Sequence, residues 1–108
     1  MITIENLRTT KMANPWDVKI DRSSILANPF FMDGEDTRNK VCDSFEKYFV
    51  STLEEHSSRS ILIKEELYRL MQLHKEFGQL RLFCWCSPKR CHAETIKKYL
   101  EGELKLDG

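Results

Sequence analysis

The sequence predicts an α/β fold: a small Rossmann-like single domain over residues 1–108, with a short, mainly parallel sheet packed by about three helices. Three observations lead there. Hydrophobic periodicity changes along the chain in the order strand, strand, helix, helix, strand, helix. The segment from Gln79 to Cys86 is nearly apolar on both faces beyond its start, the pattern of a central strand covered on both sides. A long helical stretch separates it from the strand before it, and strands joined by such a crossover usually run parallel.

The composition fits. Of 108 residues 41% are hydrophobic and 31% charged, with four glycines and three prolines, which describes a folded chain rather than a disordered or fibrous one. Seventeen basic and seventeen acidic side chains cancel, so the electrostatic pull of a protein that binds nucleic acid mainly through phosphates is missing. The N-terminal stretch MITIENLRTTKM has no long apolar run after a basic start. Neither a secretory signal nor a membrane span is expected from it, and the expected compartment is the cytoplasm. In that setting four cysteines are thiols, metal ligands or site residues rather than a disulfide framework.

Taken in order, Ile2 and Ile4 mark a short first strand, and Trp16 to Arg22 alternates apolar and polar residues as a half-buried strand does. Ser23 to Gly34 holds Asn28-Pro29-Phe30 and Asp33-Gly34 and reads as a loop, because proline and glycine interrupt regular structure. From about Asp36 to His56, Val41, Phe45, Tyr48, Phe49, Thr52 and Leu53 recur at helical spacing. The run from His56 to Ser60 breaks that pattern. A second helix follows, with Ile63, Leu67, Leu70, Met71, His74 and Phe77 on one face and Gly78 as its stop. In the strand from Gln79 to Cys86, Leu80, Leu82, Cys84 and Cys86 point one way and Arg81, Phe83 and Trp85 the other. Cys84 and Cys86 thus share a face, a poor arrangement for a mutual disulfide. Ser87 to Arg90 turns the chain, and His92 to about Leu104 forms the last helix, with Ile96, Tyr99 and Leu100 inward.

If strands 16–22 and 79–86 are parallel neighbours, their C-terminal loops meet at one edge of the sheet, where open α/β sheets bind ligands. Asp21, Arg22 and Asn28 then come close to the segment from Cys86 to His92. That segment belongs to the spacing C-x-C-x4-C-H, formed by Cys84, Cys86, Cys91 and His92. Zinc accepts such a donor set, although common zinc knuckles use wider spacings than C-x-C on a strand. A second reading is an anion pocket, in which N–H groups at the start of the last helix act together with Lys89 and Arg90. In that setting Cys91 is a candidate nucleophile with a lowered thiol pKa and His92 a candidate acid-base group. A third reading is plain packing, with the cysteines as small hydrophobes and His92 as a cap. Cys42, alone in a helix, reads as a packing residue.

These residues resemble a known family, domain of unknown function 4326, found in bacteria and phages. Its pattern is matched by Ile20-Asp21-Arg22, Asn28-Pro29-Phe30, Arg38 leading a helix, and Cys84-Trp85-Cys86 with Pro88 and Cys91-His92, in order from Trp16 to Leu100. Ala27 stands where the family commonly has glycine, which argues against a positive-φ turn or a very close ligand approach there. The strand-loop-Cys-His-helix ending is also similar to that of a second small α/β family of unknown function, number 488. The resemblance implies a small α/β domain, in a bacterial or phage-encoded protein.

The residues together lead to one expected function: binding of a nucleotide or phosphorylated nucleoside-like ligand at the sheet edge. Asp21 is expected to accept from a ribose, Arg22, Lys89 and Arg90 to face phosphate, Asn28 to orient the loop or base, and Trp85 to support stacking, with Arg38 and Cys86 among the ligand-binding residues. Two alternatives stand beside it. One is a zinc-stabilised module that occupies a host protein, and the other a hydrolase or transferase using Cys91 and His92.

Overall fold

The computed structural model describes residues 1–30, 32–86 and 89–104. Its elements are β1 (Ile2–Asn6), β2 (Asp17–Lys19), α1 (Arg38–Glu54) led in by a 3-10 turn over Glu35–Thr37, α2 (Ser58–Phe77), β3 (Leu80–Cys84) and α3 (Ala93–Leu100). The sheet has the order β1-β3-β2, and both outer strands run parallel to β3. The expected central strand is therefore central, and strands two and three are the parallel neighbours inferred from the crossover. Register pairs Ile2 with Leu80 and Asn6 with Cys84 on one side, and Asp17 with Arg81 and Lys19 with Phe83 on the other.

β2 is shorter than the seven residues expected of it. Hydrogen bonds to β3 extend one residue past each end, through the Trp16 carbonyl and the Ile20 amide. Then Asp21 intervenes. Its Oδ1 accepts from the Ser23 amide at 3.0 Å while its carbonyl accepts from Ser24, so the chain turns away from the ladder. Asp17 stabilises the other end of β2. Its side chain, 1% exposed, accepts from the Ala13 and Asn14 amides at 2.9 and 3.0 Å and from the Arg81 guanidinium at 2.7 and 3.0 Å.

These contacts, Arg81 foremost, outweigh burial and hold the Asp17 carboxyl down at about 2, against an ordinary 3.8. A carboxyl depressed in the folded state contributes stability above its unfolded pKa and loses it as pH falls through the folded one. Asp17→Asn is expected to cost about 2 kcal/mol at pH 7. Urea unfolding at pH 7 and again near pH 2 checks this, and the gap between the two proteins should narrow at the lower pH.

The helices follow their sequence signals with shifted ends. Ser57 caps α2 by accepting from the Ser60 amide, and Gly78 ends it at φ 71, donating to the His74 carbonyl. α3 stops at Leu100 rather than continuing to Leu104, because Gly102 at φ 76 follows a turn that closes the helix. The core joins Phe45, Phe49 and Leu53 of α1 and Ile63, Leu67 and Leu70 of α2. Leu80, Leu82 and Cys84 of β3 and Ala93 and Ile96 of α3 complete it. Met71, expected on the buried face of α2, is 45% exposed. The inward stripe runs through residues 60, 63, 67 and 70, and one more residue rotates Met71 off it. Phe83 is fully buried outside that core, with the Arg81 guanidinium 5.1 Å above its ring.

Among the described residues no helix is long and apolar enough to cross a membrane. The turn expected at Ser87-Pro88 lies outside the described residues, apart from the Lys89 amide, which donates to the Cys86 carbonyl.

Candidate binding pocket at the sheet edge

All three strands point their C-terminal ends at the same edge. There the loop after β2, the first turns of α1 and the segment between β3 and α3 enclose a cavity of about 320 Å³. Asp21, Arg22, Asn28, Phe30 and Met32 come from the loop, Arg38, Val41 and Cys42 from α1, and the remaining wall runs from Cys84 to Cys86 and from Arg90 to His92. Three arginines and one acidic residue, Asp21, are thus among its lining residues.

Arg38 is held firmly. Glu35 takes its Nε and Nη2 at 2.8 and 2.7 Å, Nη1 donates to the Arg90 carbonyl at 2.8 Å, and the Cys86 sulfur is in hydrogen-bonding reach. Glu35 foremost raises the basicity of Arg38 against the effect of its burial. Glu35 also binds Lys89 at 2.9 Å, and the two cations, Arg38 first, keep its exposed carboxyl at about 2. Arg90 reaches the same helix by donating to the Asn39 carbonyl and to Asp43. A row of paired charges therefore stitches the segment before α3 to the start of α1.

Trp85 is 51% exposed. Its indole N–H donates to Asp21 Oδ2 at 3.1 Å, and the Arg8 guanidinium lies 6.0 Å from the ring centroid. Burial works to raise the Asp21 carboxyl, but the Ser23 hydroxyl and amide and the Trp85 indole together bring it below its ordinary value. On the floor, His92 Nε2 is 2.8 Å from the Ile20 carbonyl and its ring meets Phe45 edge-on at 5.1 Å. Burial lowers the His92 pKa more than the Ile20 carbonyl and Asp21 raise it, so the ring is neutral at pH 7 and Nε2 carries the proton.

A family model described as Domain of unknown function (DUF4326) matches residues 4–102. The chain belongs to that family. No curated protein and no solved structure matches it.

The match reaches past the motif-bearing stretch to include most of β1. In this DUF4326 domain the motifs converge. Asp21, Arg22, Asn28, Arg38, Trp85, Cys86, Arg90, Cys91 and His92, separated in sequence, line one cavity together with Cys84. Lys89 sits outside that lining, on Glu35. Asn28 shapes the loop, its Oδ1 accepting from the Phe30 amide at 2.9 Å. Ala27 causes no strain, since among the described residues only glycines have positive φ.

Three expectations meet a different environment. The thiol pKa of Cys91 is raised, not lowered: the Cys84 thiol and burial outweigh the Ala93 amide at the helix start. Among the described residues no three His, Cys, Asp or Glu side chains converge as a metal site, and the His92 nitrogen that faces Ile20 is already engaged. Asp21, expected to face a ribose, has one oxygen on Ser23 and the other on Trp85.

Phe30, Met32 and Val41 line the cavity without having been expected in the site, and two further residues escaped the sequence reading. Cys42, read as a packing residue, is buried and also lines the cavity, one turn beyond Arg38 on the same helix face. Glu35 fixes Arg38, and its i, i+3 spacing to that arginine was the available signal.

Proposed function

We propose that this protein binds a nucleotide or another phosphorylated nucleoside-like ligand in the cavity at the C-terminal edge of its sheet. The observation that carries the reading is the lining itself: Arg22, Arg38 and Arg90, the last two held by Glu35 and Asp43, together with Asp21 and the half-exposed Trp85. Guanidinium groups recognise phosphate through paired N–H donors, and a half-exposed indole offers a stacking face for a base. The volume, about 320 Å³, suits a small ligand. Asp21 acts by orienting Trp85, and Asn28 by shaping the loop beside it.

Isothermal titration with nucleosides and their 5′-phosphates tests the reading. One-to-one binding is expected for the phosphorylated compounds and not for the free nucleosides, with inorganic phosphate as a competitor. Arg22, on the exposed rim, is expected to contribute a modest share. A folded Arg22→Ala protein should bind several-fold to about tenfold more weakly. Unchanged affinity in that variant would remove Arg22 from the site, and the absence of phosphate-dependent binding in wild type would overturn the reading.

A further inference from the structure

All four cysteines of the chain are thiols, and all four line the same cavity. Two of them are in contact. The sulfurs of Cys84 and Cys91 lie 3.2 Å apart, both residues almost wholly buried. Backbone geometry imposes the approach. Cys84 closes β3, paired in register with Asn6 while its carbonyl accepts from the Leu7 amide at 2.9 Å. Cys91 is placed two residues before α3, where its amide donates to the Glu94 carboxylate at 3.1 Å. Cys86, by contrast, has its sulfur against Arg38, and Cys42 sits on α1.

We propose that Cys84 and Cys91 form a redox-active dithiol that closes a reversible disulfide in the wall of the cavity, with a hydroperoxide as the oxidant. Closure to a bond of about 2.05 Å needs the two sulfurs to approach by only roughly 1 Å. A hydroperoxide is small enough to enter through the cavity that both sulfurs line. One cysteine sulfur gives up its proton against the raised pKa that the neighbouring thiol and burial impose, and so reacts faster as pH rises. It attacks a peroxide oxygen and breaks the O–O bond. This leaves a sulfenic acid and releases water, or an alcohol from an organic peroxide. The second sulfur, also deprotonated, attacks the first, breaks the S–O bond and releases water. Two thiols have then lost two protons and two electrons, and the peroxide has been reduced. The new bond ties the end of β3 to the approach to α3, fixing both ends of the segment that carries Trp85, Cys86, Lys89 and Arg90.

The test uses the full native chain, treated with hydrogen peroxide, then denatured and alkylated for intact-mass and tandem mass spectrometry without reduction. Two alkylations in place of four are expected, with fragment ions placing one disulfide between Cys84 and Cys91 and dithiothreitol restoring all four thiols. The same treatment in urea is expected to scatter the linkage among the cysteines. Retention of four alkylable thiols, oxygen addition without a linkage, a native linkage through Cys42 or Cys86, or a native pattern as scattered as that in urea would each overturn the proposal.

Discussion

Replacing Phe45 by alanine is expected to remove about 3–5 kcal/mol of folding stability, the range for truncating a large buried aromatic. Phe45 is 1% exposed on α1. Its ring stacks on Phe49 at 5.6 Å, tilts against Tyr48 at 6.0 Å and meets His92 edge-on at 5.1 Å. Leu82 and Ile96 belong to the same buried cluster, so the surroundings cannot collapse into the void without moving the sheet or α3. A loss of that size is a large share of what a single domain has, and thermal unfolding should begin at least roughly 10 °C lower. Chemical unfolding of wild type and Phe45→Ala at pH 7 measures the difference. A change below about 1 kcal/mol would mean that the aromatic cluster repacks freely around the gap. The experiment also bears on the pocket, because Phe45 supports the ring of His92 in its floor.

Arg38→Ala is the second large expected effect, and it concerns the ligand. The side chain is only 13% exposed and is held by Glu35 and the Arg90 carbonyl before any ligand arrives. Such preorganisation spares the entropy of fixing a long side chain on binding. Loss of a charge-assisted contact to phosphate should weaken binding of a nucleoside 5′-phosphate by about 10- to 100-fold. Arg38→Lys should fall between wild type and alanine, since lysine keeps the charge but lacks the planar pair of donors. Titration calorimetry with thermal unfolding on the same samples separates lost contact from lost fold. Equal affinity across the three proteins, all folded, would leave Arg38 as a tether for the segment before α3 and take the phosphate away from it.

Much of the architecture was legible because it follows from local rules. The period of Val41, Phe45 and Phe49, the αL stop at Gly78 and the two apolar faces of β3 each report a near-neighbour constraint that any reading of the chain meets. The convergence of Asp21, Arg22 and Asn28 on the Cys-His segment was legible one step further on. Parallel strands place their C-terminal loops together whatever the side chains are.

The state of each group in the pocket was not legible, because it depends on partners distant in sequence. Cys91 stands beside a helix start, which lowers a thiol pKa, yet the buried Cys84 sulfur 3.2 Å away reverses the shift. Asp21 has the composition of a ribose acceptor, but Trp85, sixty-four residues on, takes one of its oxygens. Cys42 reads as packing from its helix and becomes a cavity residue only when β3 and α3 close against that helix.

The sequence by itself determined the element order, the parallel crossover and the meeting of Asp21, Arg22 and Asn28 with the Cys-His segment, since backbone periodicity and chain connectivity decide those. Only the tertiary structure decided which cations are held by Glu35 and Asp43, which way the indole faces, and that two of the thiols touch. Charge, burial and hydrogen bonding act through space, over a few ångströms between groups that the sequence leaves dozens of residues apart.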